Sequence, residues 1–541
     1  MFLREVVTGQ KTGNPVRYAQ IVEAYRDDAG KSRHRVLLPL GRVDRLDPDQ
    51  IRRLVIALSR YLETGEVPEG GRLGEVRDYG VIYLADALWR RLELPAFFAK
   101  QLRSRRYDAP VERALFALVA HRLADPGSKL ACWDWIKNDA YLPDGRGLSL
   151  QHLYRAMDFL DDCHESLEEA LYRHRRTLFD KVELVYYDTT STYFECDDPG
   201  DEPEQYGLRQ RGHSRDMRPD RRQIVIGLAT DQQGLPIASD VFSGDTNDTL
   251  TVVPMLTRLR AMGLSRVVWV ADRGMSSDVN MAAVRAHNLD YILGMRLRAA
   301  EDLRAAISAD TTPYEQAAEG LMVKQVRVAN RRMVVCFAPA SAARDLKLRT
   351  GAIDRLDAVL KRVHGGADAA AITEHGLYQR LVSRHADGRF YLDKAKLERE
   401  AQCDGTFVLE VSNETMSAGS AALAYKGLLR VEQAFRGLKH GVDIRPVYHR
   451  LDKRIRAHVT LCTLAYFLER IVEIEAKVPF EQVRKLFGRT RAAELHFDKQ
   501  VVWETGKAPP DALRVLKALK IPAPPRVLGP GKPCPPPCER A

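Results

Sequence analysis

The chain has 541 residues, 45% hydrophobic and 29% charged, which excludes an extended disordered protein and is too long for one core. No apolar run reaches the ~18 residues that span a bilayer, and Met1-Phe2-Leu3-Arg4 does not open a secretory signal, so a cytosolic protein without a membrane partner is expected. The net charge of +10 admits a polyanionic partner without requiring one.

Residues 1–74 start with β-like stretches, VRYAQIVEAYRD and HRVLLPLGRV, split by a turn. An amphipathic helix capped by Asp47 then runs through DPDQIRRLVIALSRYLETG. Residues 75–180 read as a helical domain with a DNA-binding role or a scaffold role: VIYLADALWRRLEL, VERALFALVAHRLADPG, LQHLYRAMDFLDDC and ESLEEALYRHRRTLFD. At Val182 the period changes. VELVYYDTTSTYFE reads as a strand, and IVIGLATDQQGLPIASDVFSG as a hairpin turning at Asp231 to Gly234. The helix LTVVPMLTRLRAMG, the strand VVWVADRG, the helix DVNMAAVRAHN and the strand YILGMRL follow. This order predicts a mixed α/β sheet flanked by helices over 181–298. Residues 299–404, with the hairpin VKQVRVANRRMVVCF and a charged helix, read as an inserted α/β or β-rich domain. The strand FVLEVSN, a long helix holding Glu432 and the helix IRAHVTLCTLAYFLERIVE resume the core over 405–475. An accessory region and proline-rich tail occupy 476–541, with disorder expected after Ala523.

Six of the eight cysteines (Cys132, Cys163, Cys196, Cys336, Cys403, Cys462) are scattered singly, as buried apolar residues of a reducing compartment are. Cys534 and Cys538 form a CPPPC pair that lacks companions for a zinc or redox role.

Two carboxylates follow apolar strand runs: Asp188 after LVYY and Asp272 after VVWVA. In sheets flanked by helices, ligands collect at the carboxyl ends of strands, so these acids are expected to converge. Glu432 lies in YKGLLRVEQAFRGLK, where Tyr425, Glu432 and Lys439 stand seven residues apart. On one continuous helix each such step falls ~20° short of two turns, so the three share a stripe. Magnesium takes hard oxygen ligands, and two ions ~3.5–4 Å apart serve an in-line phosphoryl displacement. Asp188, Asp272 and Glu432 are therefore the candidate catalytic and metal-binding acids, with Mg2+ or Mn2+ and two ions expected. The loop YGLRQRGHSRDMRPDRR, from Tyr206, is the densest basic cluster near them; its bland reading is a mobile charged loop.

These blocks resemble an insertion-sequence transposase of the Asp-Asp-Glu type with an RNase H-like core, in the branch with a Tyr, Arg, Glu, Lys helix signature. DTTSTYFE matches the first-acid block, VADRGM the second, and YKGLLRVEQAFRGLK with HGVDIRPVYHR the third; the resemblance covers roughly 180–475. It implies Asp188, Asp272 and Glu432 as catalytic acids, with Tyr425 and Lys439 on DNA phosphates. Arg209, Arg211, Arg215, Arg221, Arg222 and Arg273 join them as expected DNA contacts. It further implies double-stranded element ends and target DNA as partners, a homodimer on DNA, and a prokaryotic, nucleoid-associated setting. One position departs: Leu428 stands where the signature has arginine. Arg436, one turn after Glu432, is the expected substitute, and Arg430 the poorer one. A nuclease of the same fold without strand transfer, and an inactive DNA-binding descendant, are the alternative readings.

Overall fold

The computed structural model describes residues 2–8, 16–26, 32–43, 72–103, 105, 110–145, 147–178, 184–195, 207–264, 267–275, 277–287, 289–295, 297–298, 301–364, 369–497 and 500–531. The expected helix from Asp47, Cys196, Tyr206 and the CPPPC pair lie outside these residues. The chain divides into two compact units. The first comprises Met1–His174, Thr192–Gly207 and Arg436–Ala541, and the second Arg175–Ser191 and Leu208–Phe435.

The first unit opens with β1 (Phe2–Thr8), β2 (Val16–Arg26) and β3 (Ser32–Arg42), an antiparallel sheet with one strand more than the sequence pattern indicated. After β4 (Arg72–Asp78) come α1 (Gly80–Arg91), α2 (Leu94–Leu102), α3 (Val111–Ala124), α4 (Lys129–Asn138) and α5 (Leu150–Leu178). Two stretches read separately are here the single helix α5, because nothing between Cys163 and Glu165 breaks a turn. Eleven of the fourteen residues of helix α3 are buried, His121 and Arg122 among them, as a central helix requires. Trp89, Phe98 and Phe116 interlock beside it, with ring centroids 5.7 and 5.5 Å from Trp89.

The second unit is built on one sheet. Its elements in order are β5 (Leu184–Tyr193), β6 (Gln223–Asp231), β7 (Pro236–Ser243), α6 (Asp248–Ala261), β8 (Val268–Ala271), α7 (Asp278–Ala286) and β9 (Asp290–Met295). Then follow α8 (Glu301–Ala309), β10 (Glu315–Ala318), β11 (Leu321–Val328), β12 (Arg331–Phe337), α9 (Pro339–His364), α10 (Ala370–Thr373), α11 (Gly376–Leu381), β13 (Val382–Arg384), β14 (Phe390–Leu392) and α12 (Lys394–Gln402). The unit closes with β15 (Thr406–Val411), α13 (Ala418–Lys426) and the start of α14 (Leu429–His440). The sheet has nine strands in the order β10-β11-β12-β15-β9-β8-β5-β6-β7. Strands β5, β8 and β9 are mutually parallel; β6–β7 and every pairing from β10 to β9 are antiparallel. This is the mixed α/β sheet with flanking helices that the order of elements predicts. The β6–β7 turn falls where expected: Asp231 accepts the Gly234 N–H at 3.0 Å, and Gly234 takes φ 77°.

The stretch 299–404 does not stand apart as a whole. Its hairpin β11–β12, turned through Ala329 and Asn330 at φ 48° and 62°, extends the main sheet by pairing with β15. The helices after it gather a small core of their own, with Ala352, Leu356, Ile372 and Leu381 fully buried.

The first unit resumes with α15 (Asp452–Ala476), α16 (Phe480–Phe487), β16 (Arg491–Phe497), β17 (Gln500–Thr505), α17 (Pro510–Ala518) and β18 (Val527–Gly531). The tail expected to be disordered after Ala523 thus contributes β18, which pairs with β17 in the sheet β18-β17-β16-β4. Its one proline within β18, Pro530, sits on an edge strand, where a missing N–H is tolerated. The described cysteines Cys132, Cys163, Cys336, Cys403 and Cys462 are free and buried, as expected.

Helix α15 also buries Glu469. Burial pushes its carboxyl up to about 7, Arg484 opposes the rise and Glu473 adds to it; Oε2 has no hydrogen-bond partner. The folded chain keeps this proton between pH 4.5 and 7, where the unfolded chain has lost it, so stability falls as pH rises through that window. Glu469→Gln should match wild type at pH 4.5 and exceed it at pH 8 by roughly 2–4 °C in thermal unfolding. An equal gap at both pH values would contradict the assignment.

Candidate active site

The two aspartates come together through strand register. Tyr187 on β5 stands opposite Ala271 on β8, so the next residues along these parallel strands are Asp188 and Asp272. Neighbouring strands lie ~4.8 Å apart, which sets the two carboxylates side by side. Asp188 is not at a strand end as expected: β5 runs on to Tyr193. It lies instead where β8 stops and leaves the space beside β5 open. Tyr187, on the opposite face, anchors this point by packing on Trp269, with ring centroids 4.9 Å apart, and donating to the Thr251 carbonyl at 3.3 Å.

Burial pushes the Asp188 carboxyl up to about 6. The charges of Asp272 and Asp248 add to the rise, while the Thr189 N–H and Arg215 oppose it. Asp248 is a further participant, one that the two strand-run acids did not point to. Asn247 is the actual cap of α6, and Asp248 accepts from Thr189 Oγ1 at 2.7 Å and from the Arg215 guanidinium. Arg215 also donates to the Thr189 carbonyl, and its N–H to Ser191 Oγ at 2.9 Å. An acid one residue past a helix cap, just after a hairpin of the same sheet, was the available signal.

The segment Tyr425–Lys439 is not one helix. Helix α13 ends at Lys426, a tight turn occupies Gly427 and Leu428, and α14 begins at Leu429. The cause is a close approach. A Cβ on Gly427 would lie 2.1 Å from Tyr186 Oη, so only glycine lets the chain cross β5 here. Tyr186 and Asp188 are two apart on a strand and share a face, which puts this turn over the Asp188 side of the sheet. Tyr425, stacked on Phe407 at 5.9 Å, donates from Oη to Asp272 Oδ1 at 3.0 Å. Glu432 is exposed in the first turn of α14. Tyr425 therefore stands on one helix and Glu432 and Lys439 on the next, joined through Gly427, whose own backbone is right-handed helical at φ −63° and ψ −14°. Arg436 and Lys439 lie further along α14, in residues of the first unit. Arg430, passed over in sequence, acts on Tyr186: burial raises that phenol and the Arg430 charge lowers it.

The basic loop is only partly available to a polyanion. Of the expected DNA contacts, Arg209 is 3% exposed and Arg215 is turned to Asp248. Arg211 is exposed; Arg221 and Arg222 are half-buried, and Arg221 pairs with Asp220 at 3.4 Å. Arg273 lies in a short 3-10 turn directly after Asp272.

Among the described residues no group of three Asp, Glu, His or Cys side chains is arranged to hold a metal ion. The Asp188–Asp272 pair does fit one by donor chemistry: hard carboxylate oxygens whose mutual repulsion a cation relieves. Glu432 does not complete a triad here.

A mixed sheet with paired aspartates where two parallel strands part is an arrangement suited to metal-assisted phosphoryl transfer. The transposase DDE domain model matches residues 194–468, just over half of the chain, and the chain belongs to that family, which generally uses divalent metal ions. That match begins six residues after Asp188. The N-terminal domain model of IS1634 family transposases matches residues 3–69. The protein is thus an insertion-sequence transposase, a DNA-cutting and joining enzyme. No curated protein matches the chain. Among solved structures it is similar to a piggyBac transposase synaptic complex with hairpin DNA, at 10% identity over 76% of this chain and 77% of that one, TM-score 0.33. It is also similar to a Mos1 transposase paired-end complex with the left transposon end, at 13% identity over 35% and 60%, TM-score 0.15. No helix among the described residues is long and apolar enough to cross a membrane.

Proposed function

We propose that this transposase cuts at the ends of its element and joins the freed 3′-hydroxyls to target DNA, using Asp188, Asp272 and Glu432. The register that sets Asp188 beside Asp272, with Tyr425 bonded to Asp272 from the helix before Glu432, carries the reading. Asp188 and Asp272 would hold Mg2+ or Mn2+, two ions in the working complex, with Glu432 drawn in when DNA binds. Such ions lower the pKa of an attacking water or hydroxyl and stabilise the oxygen that leaves.

The chain's own groups do the rest. Tyr425 fixes the orientation of the Asp272 carboxylate by its hydrogen bond. Arg215, braced by Asp248 and the Thr189 carbonyl, sets a guanidinium beside Asp188 to meet phosphate charge. Arg211, Arg221, Arg222, Arg273, Arg436 and Lys439 are further DNA contacts, and residues 75–180 a DNA-binding region. In joining, the element 3′-oxygen forms a bond to a target phosphorus while that phosphorus releases a target 3′-oxygen, which leaves as a hydroxyl. One site serves cutting and joining because both are phosphoryl transfers. We place the enzyme as a homodimer on paired ends in a prokaryotic cytoplasm, at the nucleoid.

Pre-cut element ends, supercoiled plasmid and Mg2+ should yield plasmid joined to element ends with the purified chain. Cleavage without joining would identify a nuclease instead. No reaction on either substrate would leave the inactive DNA-binding protein as the reading.

A further inference from the structure

The first unit holds a buried cationic pocket that the transposition chemistry does not use. Its volume is 330 Å3, and Arg122, Lys129, Tyr154, Arg445, Tyr448 and His449 line it. Arg122 and Lys129 are 5% and 4% exposed, yet neither is paired with a carboxylate among the described residues. Arg122 donates to the Val442 and Asp443 carbonyls at 3.1 and 2.8 Å. Lys129 Nζ lies 2.7 Å from His458 Nδ1, and His458 Nε2 lies 2.9 Å from the Ile444 carbonyl. That second contact assigns the ring proton to Nε2, so Nδ1 accepts from the lysine and the imidazole is neutral.

Among the described residues no nearby carboxylate is hydrogen-bonded to Arg122 or Lys129. Asp158 takes both guanidinium contacts of Arg454, at 2.8 and 3.0 Å. Asp443 lines the pocket with an exposed side chain, and it is its backbone carbonyl, not its carboxylate, that accepts from Arg122. Burial and the neighbouring positive charges act together on Lys129 and His449. Burial, then Arg122, drives Lys129 down to about 7. Burial, then Lys129, Arg454 and Arg122, drives His449 down to about 3. Buried cations are normally paired, so the arrangement lacks an anion.

We propose that this pocket binds a phosphate group, held by Lys129 and Arg122, with Arg445 and the Tyr448 hydroxyl at its rim. A tetrahedral dianion accepts from several donors at once and supplies the missing countercharge. The site lies outside the paired aspartates and does not depend on their catalytic role. Its phosphate is either a free ion or a phosphate of DNA.

Isothermal titration of the full chain with inorganic phosphate, against chloride at equal ionic strength, tests the pocket. One saturable site is expected, with a melting temperature raised by roughly 2–5 °C at high phosphate. Lys129→Met should weaken binding at least tenfold. Arg445→Gln and Tyr448→Phe, at the accessible rim, should weaken it severalfold and guard against a folding failure at Lys129. Absence of wild-type binding above chloride, or unchanged binding in all the folded variants, overturns the proposal. A 5′-phosphorylated duplex that displaces the bound ion identifies DNA as the source, and failure to displace it identifies the free ion. Retained phosphate binding in Asp188→Asn keeps this result separate from the fate of the catalytic assignment.

Discussion

Asp188→Asn, Asp272→Asn and Glu432→Gln are each expected to lower strand cleavage and joining on the order of 10³-fold or more, with binding to element ends kept within a few-fold. The first two act on carboxylates that the β5–β8 register sets side by side. Asparagine keeps the shape and removes the charge that a divalent ion needs. Removing either charge should also relieve repulsion within the pair, so thermal stability without metal should hold or rise slightly. Glu432→Gln discriminates more sharply, because Glu432 is exposed and outside any described cluster of acids. Its loss should leave the fold untouched and abolish chemistry only. Unchanged joined product from Glu432→Gln, quantified on pre-cut ends, would remove this residue from the site.

The sheet was legible because its strands carry strong local signals. LVYY, IVIGLAT and VVWVA are apolar runs of strand length, and the Asp231 to Gly234 turn has its own chemistry. Asp188 and Asp272 were legible for the same reason, since each follows such a run. Register was not legible. That Asp188 sits mid-strand, beside the first residue after β8, follows from pairing across 84 residues of chain. Asp248 was missed because its role depends on Thr189 and Arg215, both distant in sequence. The break at Gly427 was missed because glycine inside a helical pattern is ordinarily tolerated. Here it is forced by the Tyr186 hydroxyl, a tertiary contact. The basic loop misled in the other direction: composition cannot tell an arginine aimed at solvent from Arg209, which is buried.

Leu428→Arg, which restores the arginine of the family signature, is expected to destabilise the protein rather than improve it. Leu428 is 7% exposed in the turn between α13 and α14, and its carbonyl accepts from the Val431 N–H at 3.1 Å to start the second helix. A guanidinium there loses the apolar contact of leucine and enters a buried site. The cost is about 2–4 kcal/mol, read as a drop of several degrees in melting temperature and no gain in joining. We propose that the phosphate contact this arginine would make falls to Arg430 ahead of Arg436. It is exposed at the start of α14, and its charge acts on Tyr186, on the same sheet face as Asp188. Arg430→Ala should therefore cut joining roughly tenfold, consistent with loss of one charged phosphate contact. Its melting temperature should be unchanged, and Arg436→Ala should cost less. Higher activity from Leu428→Arg at unaltered stability, or indifference of joining to Arg430→Ala, would take the proposed phosphate contact away from Arg430.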